Sequence, residues 1–226
     1  MNSFLAIAAA ALVLAGCAAR PPAPAAFRFG VTGDTPYNAR EEREFVAMMK
    51  RMDAAPLEFV IHVGDFKAGG GSPCTDALYR ERRAQFDASA HPFILTPGDN
   101  DWTDCRRRAN GAMDPVERLA TLRRIFFASP ESLGRERIAT EMQSACIAPV
   151  VAACGCAAHP ENRRWSRAGV VFVTLNIPGS NDNVGFDAAN DAEARCRGEA
   201  RRPCHVDLAG LQGFAQGLED PALEFR

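Results

Sequence analysis

The chain is predicted to be an α/β protein built on a parallel sheet, and three observations point that way. One pattern is written three times, an apolar run that stops at Gly-Asp, over residues 27–34 (FRFGVTGD), 59–65 (FVIHVGD) and 92–99 (PFILTPGD). Runs this rich in Val, Ile and Phe read as strands buried on both faces of a parallel sheet, so each carboxylate sits where a strand ends. Successive copies lie about thirty residues apart, the length of one βαβ unit. The stretches between them, 39–55 and 75–89, have a helical pattern. Such crossovers bring the C-terminal strand ends into one crevice, where Asp34, Asp65 and Asp99 are expected to converge. Three acids in one pocket repel unless a cation joins them. The alternative for the same aspartates is that they cap the helices that follow their strands.

Ahead of the first strand, residues 4–15 form an apolar run shorter than the ~20 residues a membrane-spanning helix needs. Residues 1–16 therefore read as a signal peptide, with an uncleaved membrane anchor as the alternative. The run closes in Leu14-Ala15-Gly16-Cys17, which resembles the lipobox of bacterial lipoproteins. That resemblance implies a lipid on Cys17 as the mature N-terminus. With Ala18 rather than Asp after it, it also implies an outer-membrane anchor facing the periplasm. Residues 17–26, with proline at 21, 22 and 24, would be a stiff tether, leaving 27–226 as the domain.

Within the domain, Pro36 turns the chain after Asp34. The first helix carries Phe45, Met48, Met49 and Met52 at i, i+3, i+4, i+7, one stripe against the sheet, with Glu41, Glu42 and Arg43 toward water. In the second strand His62 points away from the face of Asp65 and is expected to be a hydrogen-bonded core residue. Gly69-Gly70-Gly71 lacks the Gly-Lys-Ser/Thr of a P-loop and reads as a flexible turn. Asp114, Pro115 and Glu117 spell a helix start, continued by Leu119, Leu122, Ile125 and Phe126. Residues 129–167 lose periodicity and read as a loop-rich excursion. Residues 169–175 (GVVFVTL) are expected to be a fourth buried strand. It runs into Asn176 and the Pro, Gly, Ser, Asn and Asp of residues 178–183, which are ligand oxygens or plain turn chemistry.

Eight cysteines in an exported chain make disulfides the default. Cys74 follows the second strand end and Cys105 the third, so a bridge between them would pin two loops at the crevice rim. Cys196 and Cys204 would close a small loop. Cys146, Cys154 and Cys156 leave one odd thiol, or with His159 hold zinc. A composition 47% apolar and 24% charged suits one folded domain, and a net charge of −2 gives no electrostatic case for nucleic acid. Arg106-Arg107-Arg108 and Arg201-Arg202 read as solvated surface.

Taken together, VTGDTPYN, HVGDFKAG, TPGDNDWTDC, DPVERL, FFASPESLG, PENRRW and VTLNIPGSNDN resemble an envelope branch of the calcineurin-like metallophosphoesterases, with GDNDWTDC the most specific part. The resemblance implies a four-layer αββα sandwich holding two cations that activate a water and neutralise charge on the phosphoryl oxygens. It implies Asp34 on the first metal, Asp65 bridging both, and Asp99 on the second. Asn100 and Asp101 would meet the phosphate, and Tyr37 and Asn176 would be further ligands or substrate contacts. Two departures stand out. Pro36 replaces the His of Asp-x-His, and Asn100 replaces a His that meets the phosphate. Asn donates hydrogen bonds but is no general acid at neutral pH. Oxygen donors without imidazole favour Mn²⁺, Mg²⁺ or Ca²⁺ over Zn²⁺.

The expected activity is hydrolysis of a phosphorylated small molecule or nucleotide at the envelope, with the membrane reached through the lipid. The alternative is an impaired or shortened family member that binds or supports without catalysis. The late His regions of the family have no counterpart before Arg226, so C-terminal strands are expected to be missing. Leu208, Leu211, Phe214 and Leu218 would then be poorly covered, giving low stability or self-association.

Overall fold

A computed structural model describes residues 26–143, 159–179, 188, 189 and 191–193. The architecture is mixed α/β, with one parallel and one antiparallel sheet. The parallel sheet consists of β1 (Gly30–Thr32), β2 (Val60–His62) and β3 (Phe93–Leu95) in the order β1-β2-β3. Its crossover helices are α1 (Ala39–Asp53) and α2 (Asp76–Asp87), and α3 (Pro115–Phe126) follows β3.

Each helix begins at a side-chain cap that satisfies otherwise orphaned N–H groups. Asn38 accepts from Arg40 and Glu41, Thr75 from Leu78, and Asp114 from Glu117 with Pro115 in the first turn. The strand-end aspartates are therefore not the caps of these helices. Phe45 and Met49 of α1, Tyr79 and Phe86 of α2, and Leu122 and Phe126 of α3 form one core with Val60, Phe93 and Leu95. Met48 and Met52 pack at its edge, as the stripe predicts. Glu42 departs from the expected solvent face: it is half-buried and paired with Arg82 at 2.7 Å.

Because side chains alternate across a strand, Phe59, Ile61 and Ile94 point to the other face of the parallel sheet. There they meet Trp165 and Phe172 of the antiparallel sheet. That sheet holds β4 (Glu141–Gln143), β5 (His159–Arg167) and β6 (Val170–Thr174) in the order β4-β5-β6. Phe59 meets Trp165 edge-on at 5.5 Å, and Trp165 stacks on Phe172 at 5.3 Å. Helices thus cover one face of the parallel sheet and a second sheet covers the other.

Two expectations are corrected here. Residues 129–167 are not purely loop, since they contain β4 and the nine-residue β5. Residues 170–174 form a strand, but in the antiparallel sheet and with one face open: Val171 and Val173 are each about two-fifths exposed, while Phe172 and Thr174 point inward. The buried face of β5 carries His159, Glu161 and Arg163, so polar pairing replaces the apolar alternation that would have announced a strand.

No helix among the described residues is long and apolar enough to cross a membrane. The signal peptide 1–16, Cys17, most of the tether, Cys146, Cys154, Cys156, Cys196, Cys204, residues 180–183 and the 208–218 stripe lie outside the described residues.

Candidate functional site at the strand ends

At the C-terminal ends of β1 to β3 the chain turns sharply. Asp34 and Asp65 take left-handed backbone conformations, with φ of 54° and 57°. Non-glycine residues adopt that region at an energetic cost, and such strain clusters at binding sites. The glycines before the acids let the strand ends touch. A Cβ on Gly64 would lie 2.2 Å from the Gly98 nitrogen, and one on Gly98 would lie 2.1 Å from Asp65 Oδ1. Asp34 N–H donates to the Gly64 carbonyl at 3.0 Å, tying the first turn to the second.

The side chains placed there form a linked set. Asp65 and Asp99 are neighbours at adjoining strand ends, close enough for the charge of Asp99 to raise the Asp65 carboxyl. The backbone N–H of Asn100 donates to Asp65 Oδ1 at 3.0 Å. The Tyr37 hydroxyl donates to Asp34 Oδ1 at 3.0 Å and accepts from Asn100 Nδ2 at 3.3 Å. Tyr37 thereby joins the first motif to the third. On the far rim, Gly179 follows β6 and sits against Asp99: a Cβ there would meet Oδ2 at 3.1 Å.

Burial pushes the Asp65 carboxyl up to about 7, and the charges of Asp99 and Asp34 add to it against the Asn100 N–H. Burial and the hydrogen bond to Asp34 hold the Tyr37 phenol protonated far above its ordinary range. Asp34 is exposed, Tyr37 and Asn100 partly so. The result is an open, acidic site whose donors are carboxylate, phenol and amide oxygens.

Beneath it lies a buried support. Asp101 is fully buried, accepting from the N–H groups of Asp65, Phe66 and Gly98, each at 2.9 Å. Its carboxylate, expected at the phosphate, is occupied here in shaping the loops. Burial, with the Asp65 charge, pushes this carboxyl well above the usual range. Lys67 is 1% exposed and donates from Nζ to the carbonyls of Ala68 and Asn100 at 2.8 Å. Burial lowers its pKa, and Asp101, Asp104 and Asp65 oppose that shift. The expected bridge between Cys74 and Cys105 is present at 1.99 Å and joins the loops after β2 and β3.

Asn176, expected as a further ligand or substrate contact, lies in the interior. It is 1% exposed, its N–H donates to Asn162 Oδ1 at 2.8 Å, and its amide donates to Glu161 Oε1 at 3.2 Å. Those bonds belong to a buried network in which Arg123 donates to both oxygens of Glu161, to Glu193 and to His159. His62 is a core residue, as expected, with Nε2 3.1 Å from the Thr35 carbonyl and Nδ1 accepting from Gly64 N–H. Lys67 and Arg123 went unforeseen; a cation inside a run of buried residues was the only signal for either.

Among the described residues no group of three or more His, Cys, Asp or Glu side chains that could hold a metal ion is assembled. The site holds a neighbouring pair, Asp65 and Asp99, with Asp34 attached through Tyr37. Comparison of the chain with protein-family models, curated proteins and solved structures found no match.

Proposed function

We propose that this chain is a metal-dependent phosphoester hydrolase of the calcineurin-like type, with the αββα arrangement, anchored in the cell envelope through lipid on Cys17. The observation that carries the reading is the gathering of acids at adjoining strand ends: Asp65 accepts from the N–H of Asn100, next to Asp99, and Tyr37 ties Asp34 to the same Asn100. Two acids so close share a proton or a cation, and a hard divalent ion suits their oxygens. Asp34, held by Tyr37, is the third donor, and Mn²⁺ or Mg²⁺ is the expected ion. When bound, such an ion supplies an activated water and charge neutralisation at a phosphoryl oxygen. Asn100 orients Asp65 through its N–H and presents its amide to a phosphorylated small molecule or nucleotide. The loops are held by Asp101, Lys67 and the disulfide, so the carboxylates are arranged before substrate arrives.

Hydrolysis of p-nitrophenyl phosphate by the full chain in Mn²⁺ tests the reading. Turnover that disappears in Asp65→Asn supports it; background rates in both proteins contradict it.

A second reading, an envelope protein that binds without catalysis, is favoured by the histidines among the described residues. His62, His91 and His159 are engaged with Thr35, Met52 and Arg123, away from the carboxylate pair. Cation binding without turnover would select it.

A further inference from the structure

The geometry points to Tyr37 and Asn100 as a paired, neutral donor clamp for one phosphoryl oxygen, with Gly69 as the residue that aims it. The inference rests on the phosphoester reading of the site and adds the group that recognises the anion, since no imidazole among the described residues serves there. Tyr37 Oη lies between Asp34 Oδ1 and Asn100 Nδ2. Its O–H is the one hydrogen-bond donor a phenol has, and Asp34 now takes it. An anion seated between the first and third motifs would take that hydrogen bond instead. It would also receive the second N–H of the Asn100 amide. Both donors are neutral, so the clamp adds no charge to a site whose carboxylates are there to attract a cation.

A clamp needs its amide turned the right way round, and the structure shows what turns it. Asn100 Oδ1 faces Gly69, where a Cβ would come within 2.4 Å of it and within 3.0 Å of Asp104 Oδ2. The amide oxygen rests against the bare glycine backbone, which leaves the amide nitrogen toward Tyr37. The Asn100 main chain is fixed on both sides, its N–H on Asp65 and its carbonyl on Lys67 Nζ. Gly69 itself is held through its carbonyl by Arg107 at 2.6 Å and Asn110 at 3.0 Å. At Gly70, next in the same run, an added Cβ would meet nothing within 4 Å. The turn is therefore specific at one glycine and permissive at its neighbour.

The test is calorimetry on the full chain, first with MnCl₂ and then with inorganic phosphate on the Mn²⁺-loaded protein. Tyr37→Phe and Gly69→Ala are expected to weaken phosphate binding by about tenfold to a hundredfold, the effect of losing a hydrogen bond to an anion. Gly70→Ala is expected to bind as wild type. Saturable Mn²⁺ binding and a cooperative melt are expected to persist in all three, with Mn²⁺ affinity unchanged in Gly69→Ala and Gly70→Ala, which separates aim from fold. Wild-type phosphate affinity in both Tyr37→Phe and Gly69→Ala, with Mn²⁺ binding intact, overturns the clamp alone. Absence of Mn²⁺ binding by the wild-type chain overturns the phosphoester reading and the clamp with it.

Discussion

Asp65 carries the central conflict of the site. Burial and the charges of Asp99 and Asp34 raise its pKa to about 7. A carboxyl whose folded pKa exceeds its unfolded value favours folding most at low pH, and that advantage is lost as pH rises toward 7. The cation-free protein is thus strained by ionisation at neutral pH, and Asp65→Asn relieves the strain. Discounted for the openness of the site, the gain is on the order of 1 kcal/mol at pH 7.5. Thermal melts in EDTA should show the variant more stable than wild type, and a lower melting point would contradict this. His62 and Glu161 behave oppositely. Burial holds His62 neutral down to about 4, so its contribution is complete above 6.5 and is lost as pH falls toward 4. Burial opposes the Glu161 charge, but the hydrogen bonds and positive charge of Arg123 prevail and hold its pKa at about 2. Its contribution is complete above about 4.5 and is lost as pH falls toward 2. Because Asp65 acts with the opposite sign over the same range, the test is a difference: the stability gap in urea between wild type and His62→Asn should change as pH falls below 6.5, and that between wild type and Glu161→Gln should shrink below 4.5. Gaps constant from pH 7 to 3 would contradict both assignments.

Among the elements, β5 is held by charge. Arg123 of α3 reaches across to Glu161, which is fully buried, at 2.6 Å. Removing one partner of a buried pair strands the other, at a cost of about 3–5 kcal/mol. Arg123→Met should destabilise by that order in urea titration; a loss below about 1 kcal/mol would show that the network is not what holds the strand. The same feature explains what the sequence made legible. The parallel strands, their helices and caps were readable because Phe45, Met49, Leu119 and Leu122 recur with helical spacing and Asp114-Pro115 marks a start. The strand ends were readable because Gly-Asp recurs three times. HPENRRW was not readable as a strand, because its buried face is His, Glu and Arg satisfied by residues distant in sequence. Asn176 and Asp101 look like exposed site polars for the same reason: partners such as Glu161 and the amides of Asp65 and Gly98 appear only after folding.

Across the whole molecule, three loops from one sheet edge are fastened by different means. Asp101 joins the second and third through backbone amides, Tyr37 joins the first to the third, and Cys74–Cys105 closes a span of 31 residues. A loop of that length contributes about 3–4 kcal/mol through restriction of the unfolded chain. The double variant Cys74→Ser/Cys105→Ser should lose that much and bind cation more weakly; unchanged melting and affinity would remove the disulfide from the account. The fold, the support and the strained turns all serve one arrangement, acids gathered where parallel strands end. The direct test is calorimetric titration of Mn²⁺ into the full wild-type chain and into Asp34→Asn, Asp65→Asn and Asp99→Asn. Saturable binding by wild type that is lost in Asp65→Asn and weakened in the other two is the predicted result. No saturable binding by wild type, or equal binding by all four proteins, would contradict it.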